Sequence, residues 1–138
     1  MKPQKITCFL SALAAISLTA CSTTSRSHHG SAKPDPETVL ITYHVKSGKE
    51  AELQAVLWRA WQIYRTEHLV FAEPHIILRD TEGDKTRFVE IFTWVSHAAP
   101  EHAPDAVTTI WEQEQSLCEG RGGHGGIEGG EVEILAGQ

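Results

Sequence analysis

Six patterned segments follow one another between Val39 and Leu135, and the order of their hydrophobic periods leaves few folds open. Val39 to Val45 alternates, with Val39, Ile41, Tyr43 and Val45 to one side and Leu40, Thr42 and His44 to the other. That period of two is the mark of a strand. After the Ser47-Gly48 turn, Lys49 to about Glu67 takes a helical period: Leu53, Val56, Leu57, Ala60 and Tyr64 share a stripe, Trp61 and Ile63 flank it, and Trp58 lies away from it. Pro74 ends the connection, His75 to Arg79 is a second strand, Thr81-Glu82-Gly83-Asp84 is a hairpin loop, and Arg87 to Val95 is a third strand. Pro100 and Pro104 bracket a loop. A second helix runs from Asp105 to about Glu119, with Val107, Ile110, Trp111, Leu117 and Cys118 on its apolar stripe. Gly120 to Gly130 holds seven glycines, and Glu131 to Leu135 is a short fourth strand.

The resulting order, β-α-β-β-α-β, is the split βαβ pattern of the α+β ferredoxin-like fold. The end of the third strand, Phe92-Thr93-Trp94-Val95-Ser96, resembles the strand-to-helix junction of the dimeric α+β-barrel superfamily, whose best-known members are antibiotic-biosynthesis monooxygenase-like domains. The first strand running into Lys49-Glu50-Ala51-Glu52-Leu53 fits the same family. The resemblance implies that two subunits pair their sheets into a barrel. It also implies a pocket between sheet and helices for an aromatic or quinone-like compound, in a family where many members use no metal or flavin; no cofactor is expected. The haem-degrading branch of that family uses an Asn on strand one, a Trp ending strand three and a His on the helical segment that follows. Trp94 matches the Trp, but strand one offers Thr42 and His44 instead of Asn, and Pro100 and Pro104 disturb the setting of His97 and His102. Haem oxygenase activity is therefore not carried over.

Laid side by side by their alternation, the strands predict two unlike faces. Val39, Ile41, Tyr43, Val45, Ile76, Leu78, Val89, Ile91, Thr93, Val95, Val132 and Ile134 form a dry face for the helices to cover. Thr42, His44, His75, Arg79, Phe88, Glu90, Phe92 and Trp94 form the other, which carries too many aromatics to face water and is expected to bury itself against a second copy. The expected pocket residues are Trp94, Phe92, Arg79, His75 and Trp61.

Three ionisable groups stand out as proton carriers: Glu90, His44 and Glu114. Glu90 lies between Phe88 and Phe92, where it is either a tuned acid or base in a pocket or one side of a salt bridge across the dimer barrel, with Arg79 as a candidate partner. Glu114 falls in the middle of the apolar stripe of the second helix, and a buried lone carboxylate needs a partner or a wet pocket. His44, His75 and Glu90 do not make a recognised ligand spacing, so no metal is expected. The glycine run follows a helix and leads to a strand, the reverse of a phosphate loop. No Gly-x-Ser-x-Gly, catalytic Cys/His pairing or nucleotide fingerprint occurs.

The N-terminus speaks to location. Lys2 and Lys5 precede an apolar run from Ile6, and Leu18-Thr19-Ala20-Cys21 resembles the lipobox of bacterial lipoproteins, in which the cysteine is lipidated and becomes the first mature residue. The run is too short to span a bilayer. The expected organisation is a signal peptide over 1–20, a lipidated polar tether over 21–37 and one domain over 38–138. Ser22 rather than Asp after the cysteine points, by the same analogy, to the outer membrane, on the periplasmic face. Loss of the signal leaves ten basic residues against eighteen acidic ones, a balance that argues against nucleic acid as partner. Cys118 would then have no disulfide partner, since Cys8 leaves with the signal and Cys21 is modified.

Two functions fit these residues. One is an envelope lipoprotein with a small-molecule pocket that binds or senses without catalysis. The other is a cofactor-independent monooxygenase acting on a small aromatic or quinone-like compound, with Glu90, His44 or Glu114 moving protons.

Overall fold

The computed structural model describes residues 35–135, so the expected signal, Cys21 and most of the tether lie outside the described residues. Strand β1 (Glu37–His44) leads into helix α1 (Glu50–Thr66), the hairpin β2 (Val70–Glu82) and β3 (Lys85–Trp94), helix α2 (Asp105–Leu117) and strand β4 (Ile127–Glu131). The strands form one sheet in the order β2-β3-β1-β4, and all neighbours run antiparallel. Both helices pack on one side of the sheet, where Leu53, Leu57, Val107 and Ile110 join Tyr43, Phe88 and Phe92 in the core. This is the expected α+β ferredoxin-like architecture.

Strand register corrects the two predicted faces. Across β1 and β3, Val39 stands opposite Phe92, Ile41 opposite Glu90 and Tyr43 opposite Phe88. Across β2 and β3, His75 stands opposite Phe92, Ile77 opposite Glu90 and Arg79 opposite Phe88. Residues directly opposite share a face, so Phe88, Glu90, Phe92 and Trp94 point under the helices with Val39, Ile41 and Tyr43. The aromatics expected on a second-copy interface are instead the core. Ile76, Leu78, Val89 and Ile91 turn to the uncovered face with Leu40 and Thr42, and Ile76 and Leu78 are 42% and 50% exposed. One extra residue of register reverses every side chain of a strand, and β3 is apolar on both sides, so its own pattern does not choose.

Two boundaries also differ. Pro74 lies inside β2, at a register irregularity between Val70 and His75, and an edge strand tolerates a residue without an N–H. The fourth strand is Ile127–Glu131 and uses the end of the glycine run; Val132 keeps a single backbone bond to Thr38, and Ile134 is exposed. The run is folded rather than loose. Gly122 and Gly123 take positive φ in a turn closed by Arg121 and His124, and a Cβ on Gly126 would stand 3.2 Å from the Cys118 backbone.

Candidate functional site

A cavity of about 300 Å³ opens between the sheet and α2. Its walls are Ile41 and Tyr43 from β1, Tyr64 from α1, Trp111, Glu114 and Gln115 from α2, and Ile127 from β4. Each arrives by simple periodicity. Ile41 and Tyr43 are inward alternates of β1, Tyr64 ends the buried stripe of α1, and Trp111 and Glu114 are three apart on one face of α2.

Glu114 is the buried carboxyl of this cavity. It is 3% exposed, and its Oε1 has no hydrogen-bond partner among the described residues. Burial, and then the nearby Glu90 carboxyl, push its pKa up to about 8. At neutral pH it is mainly the neutral acid, yet its carboxylate form is within reach of ordinary pH. A carboxylate of that basicity accepts a proton from a weak acid far better than an exposed one does.

The two tyrosines are held by different partners. The Tyr64 hydroxyl accepts a bond from Trp111 Nε1 at 2.7 Å, and burial pushes its pKa upward. Tyr43 donates its hydroxyl proton to Glu90 Oε2 at 2.9 Å. Burial, followed by the charges of Glu90 and Glu114, holds its pKa well above the usual phenol range. The second oxygen of Glu90 lies 2.9 Å from His75 Nε2, so this 1% exposed carboxyl has a partner on each oxygen. His75 in turn stacks on Trp61, with ring centroids 3.7 Å apart and planes 8° apart.

The structure therefore brings His75, Trp61 and Phe92 together beside the buried Glu90 carboxyl, with Glu114 in the adjoining cavity. Trp94 backs that cavity without lining it: its ring packs 4.9 Å from Phe92, 5.3 Å from Tyr64 and 6.4 Å from Trp111. Glu90 pairs with Tyr43 and His75 of its own chain, not with Arg79. Arg79 is exposed and lines a separate cleft of about 230 Å³ with Gln54, Trp58, Ile77 and Phe88. His44 is also displaced from the expected pocket. It belongs to the uncovered face and is buried there between Glu82, 3.4 Å from its Nδ1, and Glu128, 3.5 Å from its Nε2, with the His124 ring stacked beside it. Among the described residues, no three His, Cys, Asp or Glu side chains stand where they could jointly hold a metal ion. Tyr43, Tyr64, Trp111 and Gln115 were not among the expected site residues. Tyr64 and Trp111 read as core positions of their helices, and only the gap beside Glu114 turns them into cavity walls.

The wider cleft beside the glycine turn, about 490 Å³, includes Glu82, Lys85, Arg121 and His124. Its cations are already engaged: Lys85 with Glu119, and Arg121 with Glu119 and the carbonyls of Thr86 and Val45.

No family model matches this chain, and no curated protein matches it. Solved structures do. SnoaB from Streptomyces nogalater, a cofactor-independent oxygenase, is 20% identical with a TM-score of 0.55, over 75% of this chain and 96% of that one. An antibiotic-biosynthesis monooxygenase-like protein from Caulobacter crescentus CB15 is 13% identical with a TM-score of 0.54, over 75% and 92%. The hydroxynitrile lyase of Passiflora edulis is 10% identical with a TM-score of 0.51, over 76% and 100%. At these identities the likeness concerns the fold, and the fold carries more than one chemistry. The chain is thus similar in architecture to antibiotic-biosynthesis monooxygenase-like proteins of the ferredoxin-like fold.

Proposed function

We propose that this chain is a cofactor-independent oxygenase for a small phenolic compound, with Glu114 as proton acceptor. The observation that carries this reading is the buried, unpartnered Glu114 oxygen in a cavity walled by aromatic rings. About 300 Å³ is the lower end of ligand-sized pockets and suits one or two fused rings. The Glu114 carboxylate takes the phenolic proton, and the phenolate becomes electron-rich at a ring carbon. Dioxygen accepts electrons there as a C–O bond forms. Cleavage of the O–O bond then leaves a quinone carbonyl, and the other oxygen departs as water with the proton from that carbon and the one held by Glu114. Phenol and dioxygen thus balance quinone and water. The similarity in fold to a cofactor-independent oxygenase supports this chemistry.

The reading extends to assembly and location. The uncovered sheet face, with Leu40, Ile76, Leu78, Val89 and Ile91, is an apolar surface suited to a second copy of the chain. Cys21 in its lipobox-like setting is the lipid attachment point, holding the domain on the periplasmic face of the outer membrane. Labelling with a palmitate analogue, with Cys21→Ser as control, tests the anchor.

Activity is tested by oxygen uptake and quinone absorbance with simple phenols and naphthols. Wild-type protein is expected to turn over at least one of them, and Glu114→Gln to lose on the order of a hundredfold or more. Saturable binding with no oxygen uptake would leave the non-catalytic binding module as the function.

A further inference from the structure

Three hydrogen-bonded groups run from the cavity wall across the helix-covered face of the sheet. Tyr43 lines the cavity from β1 and donates to Glu90 Oε2 at 2.9 Å; Glu90 Oε1, on β3, meets His75 Nε2, on β2, at 2.9 Å. Tyr43 and Glu90 are each 1% exposed, whereas the His75 side chain reaches 8%. The chain thus ends on the member with most surface contact, beside the half-exposed Trp58. All three share the helix-covered face on adjacent strands: Glu90 stands opposite Ile41, two residues from Tyr43, and His75 opposite Phe92, two residues from Glu90. An apolar core does not need a carboxyl here. A buried charge is costly, and its replacement by apolar groups is commonly neutral or stabilising. The stack of Trp61 on His75 fixes the imidazole plane, as a relay requires and a simple filler does not.

We propose that Tyr43, Glu90 and His75 form a proton relay that joins the cavity to bulk water. It rests on the phenol-binding reading above. In one direction of transfer, a ligand hydroxyl gives its proton to the Tyr43 oxygen as Tyr43 passes its own to Glu90. Glu90 passes one to His75 Nε2, and His75 releases one from Nδ1 to solvent. The ligand loses one proton, water gains one, and each side chain keeps its proton count; the Tyr43 hydroxyl, the Glu90 carboxyl and the His75 tautomer then reset before the next transfer. The reverse sequence delivers a proton to the cavity. Glu114, on α2, takes the ligand proton during oxidation, whereas the relay is the route by which the bound ligand's hydroxyl exchanges its proton with bulk water.

The test follows proton movement without needing turnover. Full-length protein is loaded with 4-nitrophenol, whose phenol and phenolate differ in colour, and the pH is jumped in a stopped-flow cell. The bound dye is expected to re-equilibrate on the order of a hundredfold more slowly in Tyr43→Phe and in His75→Ala than in wild type. Imidazole added to the buffer is expected to restore the His75→Ala rate and not the Tyr43→Phe rate. If both variants bind the dye and relax at the wild-type rate, the relay is wrong while the phenol site stands. If wild-type protein does not bind the dye, the phenol site and the relay fall together. Should one variant not fold, the other, with its imidazole response, still decides.

Discussion

Glu90 and Glu114 approach the same sheet–helix boundary from opposite layers, one with a partner on each oxygen and the other with an oxygen that has none. The difference assigns them different work. Glu90 is held between Tyr43 and His75, which fixes each of its oxygens on one partner. Glu114 keeps its binding capacity for whatever enters the cavity.

That inequality gives stability a pH dependence. The folded chain holds the Glu114 proton up to about pH 8, whereas the unfolded chain releases it in the ordinary carboxylate range. Between those limits the folded state binds more protons, so stability falls as pH rises and levels off once both states are ionised. Chemical denaturation at about pH 5, 7 and 9 is expected to show a loss on the order of a few kcal/mol. In Glu114→Gln the loss shrinks, because the amide does not ionise. An unchanged slope in that variant would place the titrating group elsewhere.

Cys118 is expected to be inert. It is 4% exposed, and burial, then the nearby Glu114, pushes its pKa up to about 12. A thiol reagent at neutral pH should label it only in denaturant. Fast labelling of the native chain would mean that the end of α2 opens.

The uncovered face of the sheet is expected to close a homodimer. Leu78→Lys and Ile91→Lys place charges at the centre of Leu40, Ile76, Leu78, Val89 and Ile91, and sedimentation should show a shift from dimer to monomer. Stable interfaces bury about 1,200 Å² or more in total, so one charge at the middle is a severe defect. A wild-type monomer at micromolar concentration would leave this face without the partner proposed for it.

His44 and Arg79 should be silent in ligand binding, because neither lines the Glu114 cavity. His44→Asn and Arg79→Gln are expected to bind phenols within about twofold of wild type. A loss in His44→Asn would require the cluster of Glu82, Glu128 and His124 to act on the cavity through β1.

The element order was legible because each segment keeps one period, and the helical stripes of Leu53 to Tyr64 and Val107 to Cys118 fall on buried positions, Trp111 being half-buried. The orientation of β3 was not. Phe88, Phe92 and Trp94 alternate with Val89, Ile91 and Val95, so both of its sides are apolar, and only pairing with Ile41 and Tyr43 chooses between them. The last strand was misplaced for a related reason. Glu131 to Leu135 alternates, whereas the true strand contains Gly129 and Gly130 and is fixed by its pairing with β1. Glu114 was legible as a charge in an apolar stripe. Its cavity was not, since a gap between Tyr43, Tyr64 and Trp111 depends on how two helices settle on a sheet.

The most direct test of the central claim is a tryptophan-fluorescence titration of the full chain with 2-naphthol, repeated with Glu114→Gln. Trp111 lines the cavity and Trp94 packs behind it, so an aromatic ligand there must alter their emission. The account predicts saturable quenching at about one ligand per chain, weakened on the order of tenfold in Glu114→Gln, as expected for a hydrogen bond to a carboxyl. No quenching, or quenching identical in both proteins, would contradict it.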